Sequence, residues 1–83
     1  MNKAVGVLSI YDSRKNSFYP YKIKWNNRYY TVKKICYHHM VHEGRVAIHI
    51  FHVTDGDIDF RLAFDTETLK WTLEDFYDES SVS

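Results

Sequence analysis

Along "DIDFRLAFD" the apolar residues Ile58, Phe60, Leu62 and Phe64 alternate with Asp57, Asp59, Arg61, Ala63 and Asp65, the period of a strand with one buried face. "YPYKIKW" repeats the pattern, with Tyr19, Tyr21, Ile23 and Trp25 against Pro20, Lys22 and Lys24, and "LKWTL" repeats it with Leu69, Trp71 and Leu73. Three further segments are longer and change phase. "VGVLSI" moves from Val5 and Val7 to Leu8 and Ile10, "YTVKKICY" from Tyr30 and Val32 to Ile35 and Tyr37, and "VAIHIFHV" from Val46, Ile48 and Ile50 to Phe51 and Val53. Such shifts are expected where a bulge bends a strand around a small core.

Turn chemistry separates these segments. Asn26-Asn27 suits a tight hairpin because asparagine tolerates positive φ, Asp55-Gly56 is a two-residue hairpin signal, and "DSRKNS", "HEG" and "DTET" mark the other reversals. The resulting map has six strands near residues 3–11, 18–25, 28–41, 45–54, 57–65 and 69–74. It predicts an all-β fold, a strongly bent antiparallel meander forming a small SH3-like or open barrel. The expected core is Val7, Ile23, Trp25, Val32, Ile48, Ile50, Phe60, Leu62, Phe64 and Trp71. "LEDFYDESSVS" suggests a short helical turn through Phe76 and Tyr77, so residues 1–78 read as a single β domain and 79–83 as a flexible tail.

Size makes the density of that core matter. A chain of 83 residues forms one domain that buries only about 60 to 65 per cent of its unfolded surface. A composition 45 % hydrophobic and 17 % aromatic supplies large rings to compensate. The single cysteine, Cys36, permits no intrachain disulfide and fits a reducing compartment, hence a cytoplasmic location. "AVGVLSIY" is short and lacks a cleavage signature, so it reads as the first strand rather than a signal peptide. No run approaches the roughly 20 apolar residues of a membrane helix, so no membrane partner is expected.

The formal net charge of zero conceals an asymmetry. Residues 1–54 carry nine Lys or Arg against Asp12 and Glu43, a balance of +7, and residues 55–83 carry nine carboxylates against Arg61 and Lys70, a balance of −7. Either the halves neutralise one another across neighbouring strands or a basic face is left for a polyanion.

Chemistry beyond binding has little sequence support. Five histidines lie in "HHMVH" and "HIFH"; a two-residue Glu43-Gly44 loop would set His38 opposite His49, but a structural zinc site wants four ligands, and His49 and His52 point to opposite faces. No metal site and no cofactor are expected. G-x-S-x-G, P-loop and H-E-x-x-H motifs are absent, Asp57 and Asp59 read as a solvated pair, and Cys36 reads as an apolar strand residue, so the chain is expected to be a non-enzyme.

The best binding candidate is "KIKWNNRYYTVKK". Lys22, Lys24, Arg28, Lys33 and Lys34 surround Trp25, Tyr29 and Tyr30, and stacking rings beside cations are what a single-stranded nucleic-acid surface needs. Trp25 and Tyr30 align with Ile23 and Val32 and are expected in the core, which leaves Lys22, Lys24, Arg28, Tyr29, Lys33 and Lys34 as the candidate site.

"PYKIKWNNRYYTVKKI" and "FRLAFDTETLKWTLEDFYD" together resemble the framework of a small bacterial domain family of uncharacterised function, sometimes encoded near lesion-bypass DNA polymerases. Asn27 departs from that family's expected glycine and "CYHHM" from its expected tryptophan. The resemblance implies no catalytic residue and points toward DNA-maintenance machinery. The expected function is a non-catalytic binding module contacting nucleic acid or a nucleoprotein complex. The alternative is a protein adaptor, or a homodimer, acting through an exposed strand edge.

Overall fold

Ile23 is fully buried while Lys22 and Lys24 on either side turn away from it, so the alternation of the second segment fixes an inside and an outside. Extending that logic to the whole chain requires two sheets. A computed structural model describes residues 2–78, which form β1 (Lys3–Ala4), β2 (Gly6–Asp12), β3 (Ser17–Trp25), β4 (Arg28–Thr31), β5 (Lys34–Glu43), β6 (Val46–Thr54), β7 (Ile58–Asp65) and β8 (Lys70–Asp78). One antiparallel sheet has the order β1-β8-β7-β6-β5 and the other the order β2-β3-β4. The described residues contain no helix, and so none long and apolar enough to cross a membrane.

Six predicted segments become eight strands because the first and third each serve both sheets. Lys3 faces Leu73 on β8, whereas Gly6 faces Lys24 on β3, and the change falls at Val5, whose N–H donates to the Trp71 carbonyl at 3.3 Å. Between β4 and β5, the Val32 N–H donates to Tyr21 in the small sheet at 2.9 Å, and the Lys33 N–H to Thr54 in the large one at 2.8 Å. Backbone groups at both corners therefore remain paired while the chain changes sheets. The all-β antiparallel expectation thus holds, with eight strands rather than six, in two sheets that do not close into a barrel.

The expected C-terminal helical turn is also corrected. Phe76 and Tyr77 continue β8 opposite Phe60 and Asp59, since β7 lies alongside and pairs with this segment as far as Asp78, past a register shift that leaves Glu74 as the extra residue. The tail assigned to 79–83 lies outside the described residues.

Two of the three phase changes coincide with real irregularities. Register shifts at Leu8/Ser9 and Ile35/Tyr37 leave Tyr21 and Cys36 as the extra residues on β3 and β5; the first bulge thus falls on β3 rather than β2, and it buries Pro20 and exposes Tyr21, the reverse of the alternation expected in "YPYKIKW". The third does not. β6 pairs with β7 without a shift, so Phe51 and Val53 face the second sheet beside Leu62 and Phe60, and Ile48 and Ile50 face the other way. Ile50 is only 2 % exposed yet stands outside the central cluster, with His39 and Ala63 opposite it on the flanking strands. A strand apolar on both faces leaves no alternation to read, and the bulge inferred there was an artefact of that.

The central cluster joins Ile23 and Tyr30 of the small sheet to Phe51, Val53, Phe60, Leu62 and Leu73 of the large one. Trp25, Val32 and Trp71 pack against it as expected, and Phe18 wedges between the sheets with ring centroids 5.2 Å from Phe64 and 5.6 Å from Phe51. Edge-to-face contacts of this kind add to the area each ring buries.

Candidate nucleic-acid interface

The β3–β4 hairpin is set by its turn. Asn26 and Asn27 have φ of 54° and 61°, the left-handed pair of a type I′ turn, whose twist matches that of the strands it joins. The turn places Trp25 opposite Arg28, Lys24 opposite Tyr29, Ile23 opposite Tyr30 and Lys22 opposite Thr31. One side of the hairpin thus carries Ile23, Trp25, Arg28 and Tyr30, and the other Lys22, Lys24, Tyr29 and Thr31.

On the inward side, Tyr30 is 8 % exposed, its ring 5.2 Å from Phe60 and 6.2 Å from Trp25. These two rings belong to the core. On the outward side, Tyr29 is 63 % exposed, and the Lys22 and Lys24 Nζ atoms lie 5.8 and 5.7 Å from its ring centroid. Both are cation–π contacts, each contributing about 0.5 to 1 kcal/mol at an exposed site. β2 extends the face with Gly6 opposite Lys24 and Leu8 opposite Lys22. No carboxylate occurs among Gly6, Leu8, Lys22, Lys24, Tyr29 and Thr31, so this face is basic at the hairpin end of the small sheet.

The remaining predicted site residues lie elsewhere. Arg28 sits with its guanidinium carbon 5.5 Å from the Tyr30 ring centroid, on the inward side. With Lys33 it borders a polar cleft whose other wall includes Asp55, Asp57 and Asp78, and the Lys33 ammonium lies against Gly56 in that acidic turn. Lys34 opens β5 beside an apolar cleft lined by Tyr19, Tyr21 and Ile35. The acidic second half therefore meets Arg28 and Lys33 and leaves Lys22 and Lys24 uncovered. Leu8 and Thr31 join the face without having been singled out in the sequence; the phase change at Leu8 was the only signal for either.

The histidines occupy the β5–β6 hairpin. Its turn begins at Gly44, with positive φ, so Glu43 pairs with Val46 and His38 faces Phe51 rather than His49. The expected opposition is off by two positions, yet the diagonal is short: His38 Nε2 and His49 Nδ1 are 2.9 Å apart, and His38 stacks on Phe51 at 4.1 Å. On the opposite face His39 and His52 stack at 5.8 Å. Burial, then the neighbouring charges of His49 and His39, lowers the His38 pKa; burial lowers that of His49. For His52 burial acts first, then Arg61 and His39, with Glu74 opposing them. Among the described residues no three His, Cys, Asp or Glu side chains converge as a metal site would require.

The chain matches no protein-family model, no curated protein and no solved structure.

Proposed function

We propose that this protein is a non-catalytic binding module that takes single-stranded nucleic acid, free or within a nucleoprotein complex, on the outward face of its three-stranded sheet. The observation that carries the reading is Tyr29, exposed, with the ammonium groups of Lys22 and Lys24 at 5.8 and 5.7 Å from its ring centroid and no carboxylate among its neighbours Gly6, Leu8 and Thr31 on that face. A base stacks on the ring, and the two cations take the flanking phosphates; both contacts tolerate any base, so sequence preference should be weak. Lys22 and Lys24 stand about 7 Å apart along β3, as two residues of a strand must, which suits an extended backbone.

The test is a titration of the isotopically labelled protein with mixed single-stranded DNA and RNA at about 50 mM salt, where phosphate contacts register strongly. Amide shifts concentrated on Gly6–Leu8 and Lys22–Thr31 are expected, and the affinity of a two-phosphate contact should fall with salt with a log–log slope of about −1.4. A spectrum unchanged at saturating oligonucleotide, or binding retained by K22E/K24E, would remove this reading.

A further inference from the structure

Each open sheet has two edges, and the four edges of this molecule are not equally protected. β1 is two residues long, and the part of β8 it leaves uncovered carries Glu74, Asp75 and Asp78. β4 has four residues and begins with Arg28. β2 has seven, but the register shift at Leu8/Ser9 leaves it no more than four in regular pairing. Short, bulged or charged edges are the usual defences against pairing with another chain.

β5 is the least defended of the four, with its bulge confined to Cys36 near its start and its charges confined to its ends. It is the longest strand, ten residues, and lies outermost in its sheet. Past the bulge at Cys36 it runs regularly from Tyr37 to Glu43. Nine of its ten residues are exposed, with Ile35 and Met40 on one face and Tyr37 and Val41 on the other. Its only charges stand at its two ends, Lys34 and Glu43, and both are exposed. That polarity selects a partner strand: an antiparallel one with a negative beginning and a positive end would be repelled, whereas a second copy of β5 itself is complementary.

We propose that β5 pairs antiparallel with β5 of a second copy across a two-fold axis, joining two five-stranded sheets into one. Counting the Cys36 bulge as no step, the centre of the strand is His39. The self-complementary register then places Lys34 opposite the second copy's Glu43, Tyr37 opposite its Val41, His38 opposite its Met40, and His39 opposite its own counterpart. Every pair except His39 with its counterpart, which lies on the axis, occurs twice, as an isologous contact requires. Tyr37 and Val41 of the two copies meet as apolar partners, Met40 and Ile35 lie across from His38 and His42, and the backbone groups along β5 gain partners. This contact uses a different surface from the basic face and stands independently of what that face binds.

Sedimentation equilibrium of the full chain over a concentration series tests it. The mass should rise from 10.0 kDa toward twice that value. Lys34→Glu sets like charges opposite one another at both ends and should weaken the dimer by about tenfold; K34E/E43K reverses both charges and should restore it. Lys34 and Glu43 are exposed, so the variants leave the fold intact, and unchanged thermal unfolding of the monomer verifies that. A mass fixed at 10.0 kDa up to millimolar concentration overturns the proposal. A dimer indifferent to K34E, or weakened by K34E and not recovered in the double variant, overturns it equally, because the contact is then not this one.

Discussion

The β3–β4 and β5–β6 hairpins are both antiparallel pairs closed by a two-residue turn, yet they stand on opposite sides of a simple division. In β3–β4 one face is apolar apart from Arg28 at its turn end and is covered by the larger sheet, and the other is polar and wet. In β5–β6 the apolar residues occur on both faces: β6 is buried or half-buried throughout, whereas β5 is exposed at nearly every position. The difference is one of placement in a sheet. β6 is flanked by β5 and β7, and β5 has a neighbour on one side only. A clean amphipathic strand can be an edge without hazard; an apolar strand at an edge is a surface waiting for a partner.

The largest expected effect separates the two hairpins by stability. Ile23→Ala empties a fully buried position and should cost about 3 kcal/mol in urea unfolding, while Ile35→Ala, at the exposed base of β5, should cost less than about 1 kcal/mol. Equal losses would mean that the edge is packed as tightly as the core and that the contrast is false. Tyr29→Ala should cost no more than about 1 to 2 kcal/mol in unfolding, through its two cation–π contacts, and should reduce oligonucleotide affinity by about 1 to 3 kcal/mol, the contribution of one stacked base.

Acid should act on the second hairpin alone. His38, His49 and His52 have pKa values lowered in the folded state, so the unfolded chain binds protons more readily there. Their contribution to stability is complete above the unfolded value near 6.5 and is lost as the pH falls below it through the folded values. The charged and titratable groups around His38 are His49, His39, Asp12 and Lys15, and those around His52 are Arg61, His39 and Glu74. The midpoint of thermal unfolding should therefore decline between pH 7 and pH 5, and His38→Gln should flatten that decline. A profile unaltered by the substitution would place the acid sensitivity outside the His38–His49 diagonal.

The candidate site was half legible in the sequence. Alternation in "YPYKIKW" and the Asn26-Asn27 turn predicted that Lys22, Lys24 and Tyr29 share a side and that Trp25 and Tyr30 face inward, because both features depend only on local geometry. Arg28 fell on the inward side because it pairs with Trp25, and Lys33 was drawn to an acidic turn more than twenty residues away. Proximity along the chain grouped these cations; strand pairing separated them.

What the sequence determined by itself was the set of extended segments, the left-handed asparagine turn, and the inner and outer sides of β7 and of β3 from Lys22 to Trp25. The physical reason is that a strand's two faces and a turn's φ values are local properties. Tertiary structure alone decided that residues 3–12 and 28–43 each divide between two sheets, that β6 buries both of its faces, that His38 reaches His49 along a diagonal, and that β5 ends as a bare edge. Each of these depends on which distant strand lies alongside, and neighbours of that kind leave no mark in the periodicity of the strand they cover.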